Sequence, residues 1–216
     1  MARSLLFPPL IMVKVPLTRI ALSLAWLMVV GTGFFVLENY QNAKGSVGRT
    51  PSNWPPQTQI VLDHERNNLL MFVHPHCPCS RASIEELNRL LSRCHGHVAV
   101  QVWFFKPAGF PADWTRSDLW RSTAAIPGVT VRDDPDGAQA RMFGAETSGY
   151  VLLYDPRGQL RFKGGITGSR GHAGDNDGES AIVSLLAGRD VNMSQTPVYG
   201  CSLLGECHAP APQISQ

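Results

Sequence analysis

The chain has 216 residues, of which 44% are hydrophobic and 17% charged, and its formal net charge is +2. That length and apolar content suffice for one ordinary core without metals or a disulfide framework. So small a charge, with no basic run, excludes a nucleic-acid partner, and no internal repeat or long low-complexity tract is visible.

Ile20 to Leu37 is an uncharged apolar run. As a helix it spans about 27 Å, close to the thickness of a hydrocarbon core. Arg3, Lys14 and Arg19 precede it and Glu38 follows. The positive-inside rule then leaves residues 1–19 in the cytoplasm and places everything after the span outside. The competing reading is a signal sequence, with Gly31-Thr32-Gly33 as the cleavage site. The anchor is favoured because apolar residues continue through Phe34 to Leu37. Either reading exports the remainder, to the periplasm or outer surface in a bacterium, where disulfides persist. Residues 38–58 are polar and rich in Pro, Gly, Ser and Asn, and read as a linker.

From residue 59 the pattern changes. Leu69–Val73 is a short apolar run, a buried strand, and Gln59–Leu62 is expected to pair with it. His74-Pro75-His76-Cys77-Pro78-Cys79-Ser80 follows, and then Ile84, Leu87, Leu91 and Cys94 repeat at helical spacing. His97–Phe105 reads as a second strand, Asp113–Ile126 as a helix, and Val129–Val131 as a short strand. Asp134-Pro135 has the form of an N-cap with Pro at the first helical position, opening a helix to about Phe143. Tyr150–Tyr154 and Gln159–Lys163 form a hairpin across Asp155-Pro156-Arg157-Gly158. Gly164–Gly178 is a Gly-rich loop, and Glu179–Ala187 is the last helix. Alternating strands and helices imply an α/β fold with a partly parallel sheet covered on both faces, and the closing hairpin makes the sheet mixed. Residues 59–188 form this domain, and 189–216 form a tail.

Five cysteines fall as a close pair (Cys77, Cys79), a lone Cys94 and a tail pair (Cys201, Cys207). The odd count leaves at least one thiol outside any intramolecular scheme. The spacing is not that of paired zinc knuckles.

A cysteine motif at a strand-to-helix junction, followed by this order of elements, resembles the thioredoxin superfamily. The stretch Asp134-Pro135-Asp136-Gly137, Ala140, Phe143-Gly144, Tyr150–Gly158 and Gly164 is similar to the second half of membrane-anchored TlpA/ResA-type thiol-disulfide oxidoreductases. Gly164 to His172 further resembles a RedB-like branch. The resemblance implies a thioredoxin-like three-layer sandwich, preceded here by the transmembrane helix, and a partner that is itself a thiol or disulfide protein. Two departures stand out. The chain carries CPC in place of CxxC. Gly149, after Thr147 and Ser148, occupies the position of the family's cis-proline, where a cis peptide is not expected.

Cys77 lies before a helix N-terminus, whose dipole and free N–H groups stabilise a thiolate. It is the expected nucleophile and Cys79 the nearest resolver, with His74 and His76 tuning the thiolate if protonated. A CxC disulfide closes a smaller ring than CxxC, so a strained, more oxidising couple is expected. No cofactor is required on this reading. The alternative uses the same cluster, His74, His76, Cys77 and Cys79, as a copper site in a carrier. A third reading is a non-catalytic thioredoxin-like binding module. Cys94, on the apolar face of its helix and about 22 Å along it from Cys79, reads as a buried structural thiol. Cys201 and Cys207 are expected to pair with each other, the other possibility being that one reaches Cys77. Ser148, Gly149, Arg170 and His172 are the expected rim of a substrate site.

Overall fold

The computed structural model describes residues 16–204, apart from 95, 97, 190 and 192. It divides into two units, 1–40 and 41–216. The first is the N-terminal helix α1, Leu17–Gln41. It has no buried residue, and it is long and apolar enough to cross a membrane. It runs beyond the expected 20–37 at both ends, because no helix breaker stands at either boundary.

The second unit carries β1 (Asn67–Val73), α2 (Ser80–Cys94), β2 (Val98–Lys106), α3 (Asp118–Ala124), β3 (Val129–Pro135), α4 (Ala138–Phe143), β4 (Tyr150–Tyr154), β5 (Leu160–Gly164) and α5 (Asp177–Leu186). The sheet order is β3-β2-β1-β4-β5. β1, β2 and β3 are mutually parallel, and β4 and β5 are antiparallel to their neighbours. β1 lies at the centre and is covered on both faces, which explains its unbroken apolar sequence. Its side chains alternate between two cores. Leu69, Met71 and Val73 pack with α2, α3 and α5, whereas Leu70 and Phe72 pack with Phe143, Tyr150 and Tyr154. The result is three layers with a mixed sheet between helices, a thioredoxin-like fold.

Several boundaries differ from expectation. Residues 59–62 form no strand; Ile60 is buried and its carbonyl accepts from Trp54 Nε1 (3.2 Å). The expected helix over 113–126 is a helix only from Asp118, capped by Ser117, because residues 112–115 wind in turns. Asp134-Pro135 does not open a helix. β3 continues through Pro135 because it pairs along its whole length with β2. Asp134 still caps α4, its buried carboxylate accepting from the amides of Gln139 (2.8 Å) and Ala140 (2.9 Å). β3 is an edge strand, where Pro is tolerated.

Parts of the stretches read as linker and tail, residues 45–58 and 194–204, pack onto the domain. Trp54 meets Phe143 and Tyr154 edge-on (5.4 and 5.2 Å between centroids), and Gly45 and Gly48 amides bond to Val198 and Gly144 carbonyls. At the other end, Gln195 bridges Lys163, Ser202 bridges Thr147, and Val198 and Leu203 are buried. Residues 194–204 therefore form a strap laid over the ends of β4 and β5.

Candidate active site

Parallel strands present their carboxyl ends to one edge of the sheet, where binding crevices form. β1 ends at Val73 and α2 begins at Ser80, so Cys77 and Cys79 sit in the connecting turn at a helix N-terminus. The turn is fixed by Cys77 N–H to His74 O (3.1 Å), Ser80 N–H to Cys77 O (3.1 Å) and Arg81 N–H to Pro78 O (3.3 Å). Cys77 is buried and Cys79 half-buried.

A third cysteine joins them. The sulfurs of Cys77, Cys79 and Cys201 lie within 4.8 Å of one another. Cys201 is a free thiol delivered by the strap, and Cys207, its expected partner, lies outside the described residues. The Ser148 amide donates to the Cys201 carbonyl (2.9 Å), and Arg170 Nη1 donates to the carbonyl of Gly200.

The three thiols are electrostatically unequal. Burial pushes Cys77 up, but hydrogen bonds from the Ser80 hydroxyl and the Cys201 thiol, helped by the backbone amides of Cys201 and Ser80, outweigh it and hold Cys77 below the ordinary thiol range. Burial raises Cys79, and the neighbouring Cys77 charge adds to this against the pull of Arg170. Burial and the bond to Cys77 push Cys201 up to about 12. Of the three, Cys77 is therefore the thiol most favoured to ionise, and Cys201 is the one placed to donate to it.

Ser148 and Ser80 extend this network. The Ser148 hydroxyl accepts from the His74 amide (2.7 Å) and lies 2.6 Å from the Ser80 hydroxyl. One proton order satisfies every group: Ser148 donates to Ser80, and Ser80 donates to Cys77. Hydrogen bonds to a charged group contribute about 1.5–3 kcal/mol. Ser80→Ala is therefore expected to raise the Cys77 pKa by about 1–2 units, read from the pH dependence of alkylation. An unchanged midpoint would remove Ser80 from the network.

His74 does other work than expected. Burial, and then the His76 charge, lower His74 to about 4, so it is neutral near pH 7 and supplies no positive charge to Cys77. Its Nδ1 accepts from the His76 amide (3.2 Å), and its ring stacks on Phe105 (5.9 Å) and meets Trp114 edge-on (5.6 Å). His76 is exposed and its Nε2 meets the Trp114 carbonyl (3.1 Å). Neither ring belongs to the group of side chains within ligand distance of one another, so in place of the alternative copper set of His74, His76, Cys77 and Cys79 stand three cysteines. Unfolded His74 takes a proton near pH 6.5 and folded His74 only near 4, so stability falls as pH drops through that window. His74→Gln is expected to flatten the fall by about 2 kcal/mol, measured by denaturation at pH 7 and pH 4.5. An identical fall in the variant would exclude His74 as its source.

Of the expected rim, Ser148 and Gly149 are both buried. Gly149 has φ 90° and its amide donates to the Phe72 carbonyl (2.8 Å); a Cβ there would stand 2.8 Å from Ser83 Oγ. All described peptide bonds are trans. Arg170 braces the strap. His172 is exposed, its Nδ1 against the Arg170 carbonyl (3.0 Å). The Gly-rich loop is pinned from outside itself: the Gly174 amide donates to buried Glu86 (2.7 Å). Cys94 is buried in the core, as its helical spacing implied. Sequence reasoning missed Ser80, although its place at the first turn of α2 was a usable signal. The third thiol corresponds to the second reading of the tail cysteines, in which one of them reaches Cys77.

No protein-family model matches the chain, and no curated protein matches it. Among solved structures it is similar to a hypothetical protein from Sinorhizobium meliloti (22% identity, covering 76% of this chain and 97% of that one, TM-score 0.56). An uncharacterized conserved protein from Geobacillus kaustophilus is similar to the same degree (20% identity, 77% and 94%, TM-score 0.56). A pneumococcal exposed lipoprotein thioredoxin from Streptococcus pneumoniae aligns less fully (17% identity, 58% and 86%, TM-score 0.43). At these identities the first two likenesses show a shared fold. Fold and motif together define a thioredoxin-like protein with a CxC cysteine pair at the first strand-to-helix junction.

Proposed function

We propose that this protein is an exported, membrane-tethered thiol-disulfide oxidoreductase, near the TlpA/ResA-like or RedB-like members of its superfamily, that exchanges disulfides with a protein partner through Cys77. The observation that carries this reading is the Cys77 environment: a thiol lowered by two side-chain donors at a helix N-terminus, with two further thiols in reach. The thiolate attacks a partner disulfide, and a neighbouring thiol resolves the mixed disulfide. A groove of about 260 Å³, lined by His76, Cys77, Pro78, Arg81, Ser117 and Leu119, gives an extended partner segment a place beside the nucleophile. Helix α1 supports the tether, and the basic residues before it support a domain outside the cytoplasm.

The test is exchange between the full-length protein in detergent micelles and a glutathionylated peptide at pH 7. Cys77 is expected to react at least about tenfold faster than a free cysteine, whose thiolate fraction is a few per cent. Reaction no faster than free cysteine would end the proposal. For export, a membrane-impermeant maleimide added to intact cells, or to cells with a permeabilised outer membrane, should label Cys79. Labelling only after lysis of the inner membrane would contradict it.

A second reading has its own observation. Three sulfurs within 4.8 Å suit a soft cation such as Cu(I) better than the histidine-containing set does. Titration with Cu(I) against a competing chelator decides it: binding that Cys201→Ser weakens more than His76→Ala supports a carrier, and no binding above that of the chelator excludes one.

A further inference from the structure

The geometry points to Cys201, not Cys79, as the thiol that resolves Cys77, so that the redox couple of this protein is Cys77–Cys201. The inference rests on the oxidoreductase reading and assigns its second cysteine.

Two cysteines compete for the role, and their backbones differ. A Cys77–Cys79 bond would close a ring containing one residue, Pro78, whose φ is fixed. That ring would have to form inside a turn already held by Ser80 N–H to Cys77 O and Arg81 N–H to Pro78 O. Disulfides demand a specific dihedral about the S–S bond, and a ring this small leaves the fewest torsions free to reach it. A Cys77–Cys201 bond joins two separate segments and carries no ring constraint. Cys201 is also presented from a fixed backbone. Ser148 N–H holds its own carbonyl (2.9 Å), Arg170 holds the Gly200 carbonyl, Ser202 bridges Thr147, and Leu203, fully buried, donates its amide to Glu146 O (2.7 Å). The Cys201 and Cys77 sulfurs lie within 4.8 Å of each other, so the resolver stands beside the atom it must attack.

The step balances as follows. Cys77 thiolate attacks one sulfur of a partner disulfide, forming Cys77–S–S–R and releasing the other partner sulfur as a thiolate. That thiolate takes the Cys201 proton. Cys201 then attacks Cys77 Sγ, forming the Cys77–Cys201 bond and releasing the second partner sulfur as a thiolate. The partner disulfide gains two electrons, and Cys77 and Cys201 lose them. The reverse sequence oxidises a partner dithiol.

The test equilibrates the full-length protein in detergent with glutathione buffers of graded potential, followed by acid quench, alkylation and peptide mass mapping. The wild type is expected to give a reversible Cys77–Cys201 cross-link. Cys79→Ser should keep that cross-link as its main reversible product. Cys201→Ser should instead accumulate glutathione on Cys77 and lose the reversible pair. A Cys77–Cys79 or Cys201–Cys207 cross-link as the main wild-type product, or a Cys201→Ser protein that titrates like wild type, would overturn the inference while leaving exchange chemistry intact. If Cys77 takes up no glutathione and forms no disulfide at any potential, the oxidoreductase reading itself fails, and this inference with it.

Discussion

Cys77→Ser is expected to lower the rate of disulfide exchange by on the order of 10³-fold or more, the scale of loss when an enzyme's nucleophile is removed. The serine hydroxyl fits the same turn, so the fold should survive the change. What disappears is the one sulfur that Ser80, Cys201 and two backbone amides converge on. A hydroxyl does not ionise near neutral pH and forms no disulfide, so neither the attack nor the mixed disulfide exists in the variant. Cys94→Ala is the control: that thiol lies in the core between α2 and α5 and is raised by burial and the charge of Glu179. It should cost stability, not exchange rate. The measurement is the initial rate with a glutathionylated peptide. Exchange preserved in Cys77→Ser would move the chemistry to another cysteine.

The second large effect is expected at Gly200. A Cβ built there lies 2.1 Å from the Ser148 carbonyl oxygen and 3.2 Å from Thr147 Cγ2. The obstacle is backbone, so the strap must lift away from the start of β4. Gly200→Ala should strain the Ser148–Cys201 and Leu203–Glu146 backbone bonds and withdraw the Cys201 thiol from Cys77. Overpacking of this kind costs about 1–3 kcal/mol, or a fall in Tm of roughly 2–10 °C for a domain of this size. The Cys77 pKa should rise in the same variant, because one of its two side-chain donors has moved. Thermal melting and pH-dependent alkylation of the full chain in detergent measure the two effects. A variant that melts lower with an unchanged thiol midpoint would show the strap to be structural only.

Much of this architecture is visible in the sequence where burial imposes a period. β1 and β4 are central and buried, so Leu69–Val73 and Tyr150–Tyr154 read directly as strands. α2 shows its apolar spacing because one face packs on the sheet. Expectation failed where long-range pairing decides the outcome. Pairing with β2 drew β3 through Asp134-Pro135, although the local signal there is a helix cap. Residues 45–59 and 194–204 are fixed by a few anchors, Trp54, Val198 and Leu203, and by single backbone bonds that leave no periodic trace. The same is true of the site. Cys77 and Cys79 announce themselves by adjacency, whereas Cys201 reaches them only through the strap, and Ser148 reaches Cys77 only through Ser80.

The account turns on Cys77 being an activated thiolate, and its alkylation by iodoacetamide as a function of pH measures that directly. In the reduced full-length protein, with mass mapping to isolate Cys77, the midpoint is expected below that of a free cysteine at about 8.5. A midpoint at or above that value would contradict the account.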